Sequence, residues 1–174
     1  MKTVLFLICI LFFFGCGKSK NNSVELITLP EKQNSLFYGL IEVSQHTIPE
    51  SSLGDSLSFL VLPLQASCPA CRKKTIDSIM MHREDLANKH YIIISANGGR
   101  KTIRGFFQEQ EYEVPDIPHR FFLDSTNLAY KKQLYEDKPT IYYTFRRKAY
   151  KKVAAIPITV REDLREFFSG HRNP

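Results

Sequence analysis

Leu57-Ser58-Phe59-Leu60-Val61-Leu62-Pro63-Leu64-Gln65-Ala66-Ser67-Cys68-Pro69-Ala70-Cys71 is the stretch from which the fold reads outward. Its first eight residues are almost unbroken in hydrophobicity, the pattern of a strand covered on both faces within an α/β sheet. Pro63 has no N–H to give a ladder, so the strand is expected to end or bulge there. Beyond the cysteines, Ile76, Ile79, Met80, Leu86 and Ala87 recur at helical spacing and predict an amphipathic helix over 69–88. Cys68 therefore falls near a helix N-cap, where unpaired backbone N–H groups and the positive end of the helix dipole favour a thiolate. Cys68 is the expected nucleophile. Pro69 suits the first helical position, having no N–H to waste and a φ already helical. Cys71, one turn on, can close a disulfide with Cys68 and is the expected resolving thiol. Arg72, Lys73 and Lys74 either support the thiolate electrostatically or form a solvated first-turn face.

Further along, Tyr91–Ile94 reads as a second buried strand, broken by Asn97-Gly98-Gly99. A short helix follows, with Ile103, Phe106 and Phe107 on one face. Residues 112–119, with Pro115 and Pro118, read as loop, Arg120–Leu123 as a short strand, and Asp124 or Ser125 as the cap of a helix reaching about Leu134. Ile141–Phe145 and Ala149–Ile156 flank Arg146-Arg147-Lys148 as an antiparallel hairpin. Thr159-Val160-Arg161-Glu162 has the form of a capping box, and Val160, Leu164, Phe167 and Phe168 share the face of the helix it opens. Ahead of Leu57, the alternation of Leu36, Tyr38, Leu40, Ile41 and Val43 predicts an early strand or hairpin within 36–48.

Strand, Cys-x-x-Cys, amphipathic helix, strand, and then Lys138-Pro139-Thr140 ahead of a hairpin: over residues 57–169 this order resembles the thioredoxin-like superfamily. The extra unit from Phe121 to Leu134 is similar to an insertion of its TlpA-like and peroxiredoxin-like branches. The resemblance implies an α/β fold, a central mixed sheet flanked by helices, with the strand-helix insertion placed before a cis-proline, Pro139. It implies that Lys138 and Pro139 lie beside the cysteine pair and bind substrate backbone. It also implies a thiol–disulfide oxidoreductase that reduces disulfides of envelope proteins and is recharged by a membrane electron donor, with no cofactor. Gln65-Ala66-Ser67 stands where the family often has tryptophans, and Lys138 where Thr or Val is commoner. Glu42 is a conceivable proton-carrying carboxylate that nothing in the sequence positions.

The N-terminus sets the compartment. Met1-Lys2-Thr3 precede an apolar run from Val4 to Phe14, too short for the roughly 20 residues of a membrane-spanning helix but fitting an export signal. Phe13-Phe14-Gly15-Cys16 resembles the lipobox of bacterial lipoproteins, which implies acylation at Cys16. The expected organisation is a signal peptide over 1–15, a lipid anchor and polar tether over 16–35, and one domain over 36–174, held at a membrane and facing the periplasm or cell exterior. Of the four cysteines, only Cys68 and Cys71 then remain in the domain, outside the reducing cytosol.

Other chemistries fit less well. A surplus of 24 Lys and Arg over 18 Asp and Glu is spread along the chain, with no basic helix or aromatic-basic motif for nucleic acid. Zinc would need two more ligands, and His46, His82, His90, His119 and His171 stand singly, so no metal site is expected. Covalent haem needs His after the second cysteine, where Arg72 stands. The alternative function is a redox-silent lipoprotein that binds a partner or delivers copper, with His119 as the third copper ligand. The turn at Arg146–Lys148 reads as a solvated hairpin or as a contact to anionic lipid.

Overall fold

A computed structural model describes residues 24–170. The signal segment, Cys16 and His171 lie outside them. The elements are β1 (Val24–Leu26), α1 (Pro30–Val43), β2 (Leu57–Pro63), α2 (Pro69–Met81), β3 (His90–Ser95), α3 (Gly99–Gln108), β4 (Phe121–Asp124), α4 (Leu128–Lys131), β5 (Thr140–Phe145), β6 (Lys148–Ala154) and α5 (Val160–Ser169).

The apolar run Leu57–Pro63 becomes the strand about which the rest is arranged, and all seven residues are buried. Side chains alternate across a strand, and both faces of β2 are covered. Leu60 and Leu62 pack with Ile76 and Ile79 of α2, Ile103 and Phe107 of α3 and Leu164 and Phe167 of α5. Leu57, Phe59 and Val61 meet Phe37, Leu40 and Ile41 of α1 on the other side. The sheet has the order β1-β6-β5-β2-β3-β4. β3 runs parallel to β2 and β4 parallel to β3, whereas β5 is antiparallel to β2, β6 to β5 and β1 to β6. The inner order β6-β5-β2-β3, with two parallel strands joined through α2 and a hairpin added alongside, is the thioredoxin-like arrangement. β4 and α4 form the expected addition.

Pro63 sits where its missing donor is harmless. Leu64 N–H points to β3, donating to Ser95 O at 3.0 Å, so position 63 would face β5, and the β2–β5 pairing has already ended at Val61–Thr140.

Five expectations need correction. Residues 36–48 form no strand: they belong mostly to α1, which begins with Pro30 at its first position and Glu31 in its first turn. Leu36, Phe37, Leu40 and Ile41 make a helical face, while Tyr38, counted in the alternation, is exposed. The folded region also starts before Leu36, because Val24–Leu26 pairs with β6 and α1 opens at Pro30. The helix after the cysteines stops at Met81, although Leu86 still enters the core. No reciprocal capping box forms at Thr159, whose hydroxyl donates to Asp163 at 2.6 Å and makes no cap bond. The β4-linked helix is only Leu128–Lys131, because Asn127 and Gln133 both take left-handed φ and bound it.

Candidate functional site

Cys68 is the N-cap of α2, with φ −55° and ψ 141°, and Pro69 follows inside the helix. This is the expected local geometry, produced by a strand running out at Pro63 and a proline that favours a helical start. The Cys68 sulfur accepts the Cys71 backbone N–H at 3.1 Å, which satisfies one of the orphan donors of the first turn. Cys68 and Cys71 are disulfide-bonded, with Cα atoms 5.2 Å apart. Cys68 is half-buried, whereas Cys71 is 1% exposed. Cys68 is therefore the more accessible sulfur of the two.

The three basic residues after the pair are engaged elsewhere. Arg72 donates to Leu64 O at 2.9 Å, and its guanidinium lies 4.4 Å from the Phe106 ring centre. Lys73 pairs with Asp77 at 3.2 Å and Lys74 approaches Pro157 O at 3.4 Å. Lys73 lies on a solvated first-turn face, whereas half-buried Arg72 and Lys74 tie α2 to Leu64 and to the loop at Pro157. One residue earlier, the Ser67 hydroxyl is buried and has no hydrogen-bond partner among the described residues.

A brace that no local pattern singles out holds the cysteine loop. Gln65 Nε2 donates to Asn97 O at 2.8 Å, and Asn97 N–H donates to Gln65 Oε1 at 2.7 Å. One amide thus closes a two-bond clamp between the β2–α2 and β3–α3 loops, the second of which turns through Gly98 at φ 105°. Gln65→Ala is expected to destabilise the fold by about 1 kcal/mol, since the site is exposed and water replaces part of the loss. Amide exchange at Asn97 should quicken selectively, and an unchanged rate there would mean that the clamp is not held in solution.

Lys138 and Pro139 precede β5. Thr140 pairs with Val61, so Pro139 lies one step further toward the end of β2 from which the chain proceeds to Cys68. Pro139 is buried, and its carbonyl accepts Ala155 N–H at 2.8 Å. The Lys138 ammonium is held by Asp137 at 2.5 Å, and its carbonyl accepts the Thr140 hydroxyl at 3.0 Å. The cis bond implied at Pro139 is not found: every described peptide bond is trans. Trans is the lower-energy state of an X-Pro bond by about 0.5–1 kcal/mol.

Two further candidates fall outside the site. Glu42 lies on α1, across the sheet from α2, where it pairs with Lys132 at 2.6 Å and is substantially exposed. It is placed as a surface ion pair. His119 is exposed just before the amino end of β4, and β2, β3 and β4 are parallel, so it sits at the opposite end of the sheet from Cys68. It cannot complete a copper site with the two sulfurs, and the described residues contain no group of three or more His, Cys, Asp or Glu suited to a metal.

At the carboxyl ends of β3 and β4 lies a buried polar cluster. Asp124, 5% exposed, accepts the Ser95 hydroxyl at 2.7 Å and the backbone N–H groups of Leu128 and Ala129, both at 2.8 Å. Asn127 joins it through Ser95 at 3.1 Å and through the Tyr135 hydroxyl. Burial raises the Tyr135 pKa, partly offset by the bond from Ser95. Asp124 shares its sheet face with Phe122, packed with α1, and not with α2. The cluster therefore caps α4 and is separated from the cysteines by the sheet.

No family model matches the sequence, and no curated protein matches it. Among solved structures, a DsbF homologue from Corynebacterium diphtheriae superposes with a TM-score of 0.42 at 8% identity, covering 86% of this chain and 95% of that one. StoA from Bacillus subtilis gives 0.39 at 13% identity, over 64% and 81%. Both superpositions are loose; the strand order β6-β5-β2-β3 with the cysteine pair after β2 is the arrangement expected from the sequence.

Proposed function

We propose that this chain is a thiol–disulfide oxidoreductase of the cell envelope, anchored through lipid on Cys16, that reduces disulfides of envelope proteins. The observation that carries the reading is the oxidised pair at the start of α2, with an accessible Cys68 capping the helix and a buried Cys71 behind it.

In the reduced protein, the Cys68 thiolate attacks one sulfur of a substrate disulfide. A Cys68–substrate bond forms, the substrate bond breaks, and the departing substrate thiolate takes up a proton. Cys71, deprotonated in turn, attacks the Cys68 sulfur. The Cys68–Cys71 disulfide forms, and the second substrate sulfur leaves as a thiol. Two electrons and two protons have passed to the substrate, and a membrane dithiol donor returns two of each. Lys138 and Pro139, ahead of β5 at the same end of the sheet as the cysteine loop, are the residues assigned to hold substrate backbone.

The test is the pH dependence of Cys68 alkylation in the reduced full-length chain, read by peptide mass. The rate at Cys68 should reach half its maximum below the value of about 8.5 typical of a free thiol, and buried Cys71 should react much more slowly. Equal, free-thiol behaviour at both positions would favour a structural disulfide in a partner-binding lipoprotein.

A further inference from the structure

The sheet register fixes where the N-terminal segment joins the domain. Val24 pairs with Val153, Val153 with Ile141, and Ile141 with Leu60. β1 is antiparallel to β6, and β6 runs the same way as β2, so the amino end of β1 lies at the end of the sheet toward which β2 runs to Cys68. Three interstrand steps separate β1 from β2, a lateral offset of about 14 Å. The hairpin turn Arg146-Arg147 lies at the other end, where Thr144 pairs with Leu57.

Eight Cα steps join Cys16 to Val24, and however they run they span no more than about 28 Å. This is far less than the twenty-residue tether the sequence suggested, because β1 and α1 take up its second half. Turning the hairpin end toward the membrane would require the chain to double back from the level of Leu60 to that of Phe145, at least about 13 Å along the sheet edge. That would consume half of the reach. At the cysteine end, Ile158 is 88% exposed in the loop that follows β6, beside Pro157, whose carbonyl the Lys74 ammonium approaches at 3.4 Å. An apolar tip with an ammonium beside it fits the boundary between acyl chains and lipid headgroups.

The geometry points to a membrane-facing orientation: the end of the sheet that bears Cys68 and Ile158 rests against the lipid bilayer, and the basic hairpin points away from it. This inference rests on the anchored oxidoreductase proposed above, and it places the redox pair where partners embedded in the same membrane can reach it. It assigns the hairpin charges to solvent. Arg147 already pairs with Glu50 at 2.5 Å.

The sequence contains no tryptophan, so a single introduced one reports its own surroundings. Full-length, lipid-modified Ile158→Trp and Phe145→Trp proteins, both altered at exposed positions, are reconstituted into phosphatidylcholine–phosphatidylglycerol vesicles containing a headgroup-nitroxide lipid. Ala66→Trp serves as a second probe of the cysteine end. The expected result is loss of most emission at Ile158→Trp and Ala66→Trp, with Phe145→Trp unquenched. Equal quenching at the two ends, or quenching of Phe145→Trp alone, overturns the orientation while leaving the anchor standing. Flotation with vesicles separates the two failures: the wild-type chain should float and Cys16→Ser should not. If both float alike, or neither floats, the anchor fails and the orientation fails with it.

Discussion

Cys71→Ser is expected to arrest the protein in covalent union with its substrate. Without the resolving thiol, the bond between Cys68 and the substrate sulfur has no neighbouring nucleophile to break it, so the mixed disulfide accumulates instead of passing through. Cys71 is 1% exposed, and serine is smaller and able to donate where it stands, so the fold should tolerate the change. Non-reducing electrophoresis of envelope extracts should show adducts that vanish with dithiothreitol and in the Cys68→Ser, Cys71→Ser double variant. Exchange turnover should fall by at least about a thousandfold, the scale on which loss of an essential nucleophilic group is felt. Absence of any adduct, with turnover retained, would remove Cys71 from the mechanism.

The second large effect concerns the fold. Asp124→Ala strips acceptors from the Ser95 hydroxyl and from the backbone N–H groups of Leu128 and Ala129. Each buried donor left unpaired costs about 1–3 kcal/mol. Ser95 retains Asn127 as a neighbour at 3.1 Å, so a total near 3 kcal/mol is expected, read as a lower urea midpoint. Asp124→Asn, which keeps one acceptor oxygen, should recover part of it. Because the sheet stands between this cluster and α2, Cys68 alkylation in the folded protein should be unaffected. A loss below about 1 kcal/mol would show that water replaces the cluster's bonds.

What the sequence made legible was whatever depends on periodicity or on one residue's own chemistry. The apolar run from Leu57, the spacing of Ile76 and Ile79, the Cys68-Pro69 helix start and the paired strands around Arg146 all follow from local pattern. α1 is hidden in the sequence because Leu36, Tyr38 and Leu40 alternate as a strand does, while the cue to a helix is Phe37 beside Leu36 and Leu40 together with Pro30 and Glu31 at a helix start. The Gln65–Asn97 clamp joins residues 32 positions apart, and the Asp124 cluster reaches back to Ser95 across 29. Such partners depend on strand order, which no local pattern encodes. His119 was separated from the cysteines for the same reason, since only the parallel sense of β4 shows that it lies at the far end. On sequence alone Arg72 offers charged support or a solvated face; its guanidinium rests on Leu64 O and the Phe106 ring, contacts that only the packed fold brings together.

The most direct measurement is the redox equilibrium of the pair itself. The full-length chain is brought to equilibrium in glutathione buffers of stepped potential, trapped with an alkylating reagent, and analysed peptide by peptide by mass. A functional exchange pair gives one reversible two-electron transition in which Cys68 and Cys71 change together, within the range that biological dithiols can reach. A pair that stays oxidised across the whole series, or that opens only under strong reductant, would make the Cys68–Cys71 bond structural and contradict the oxidoreductase.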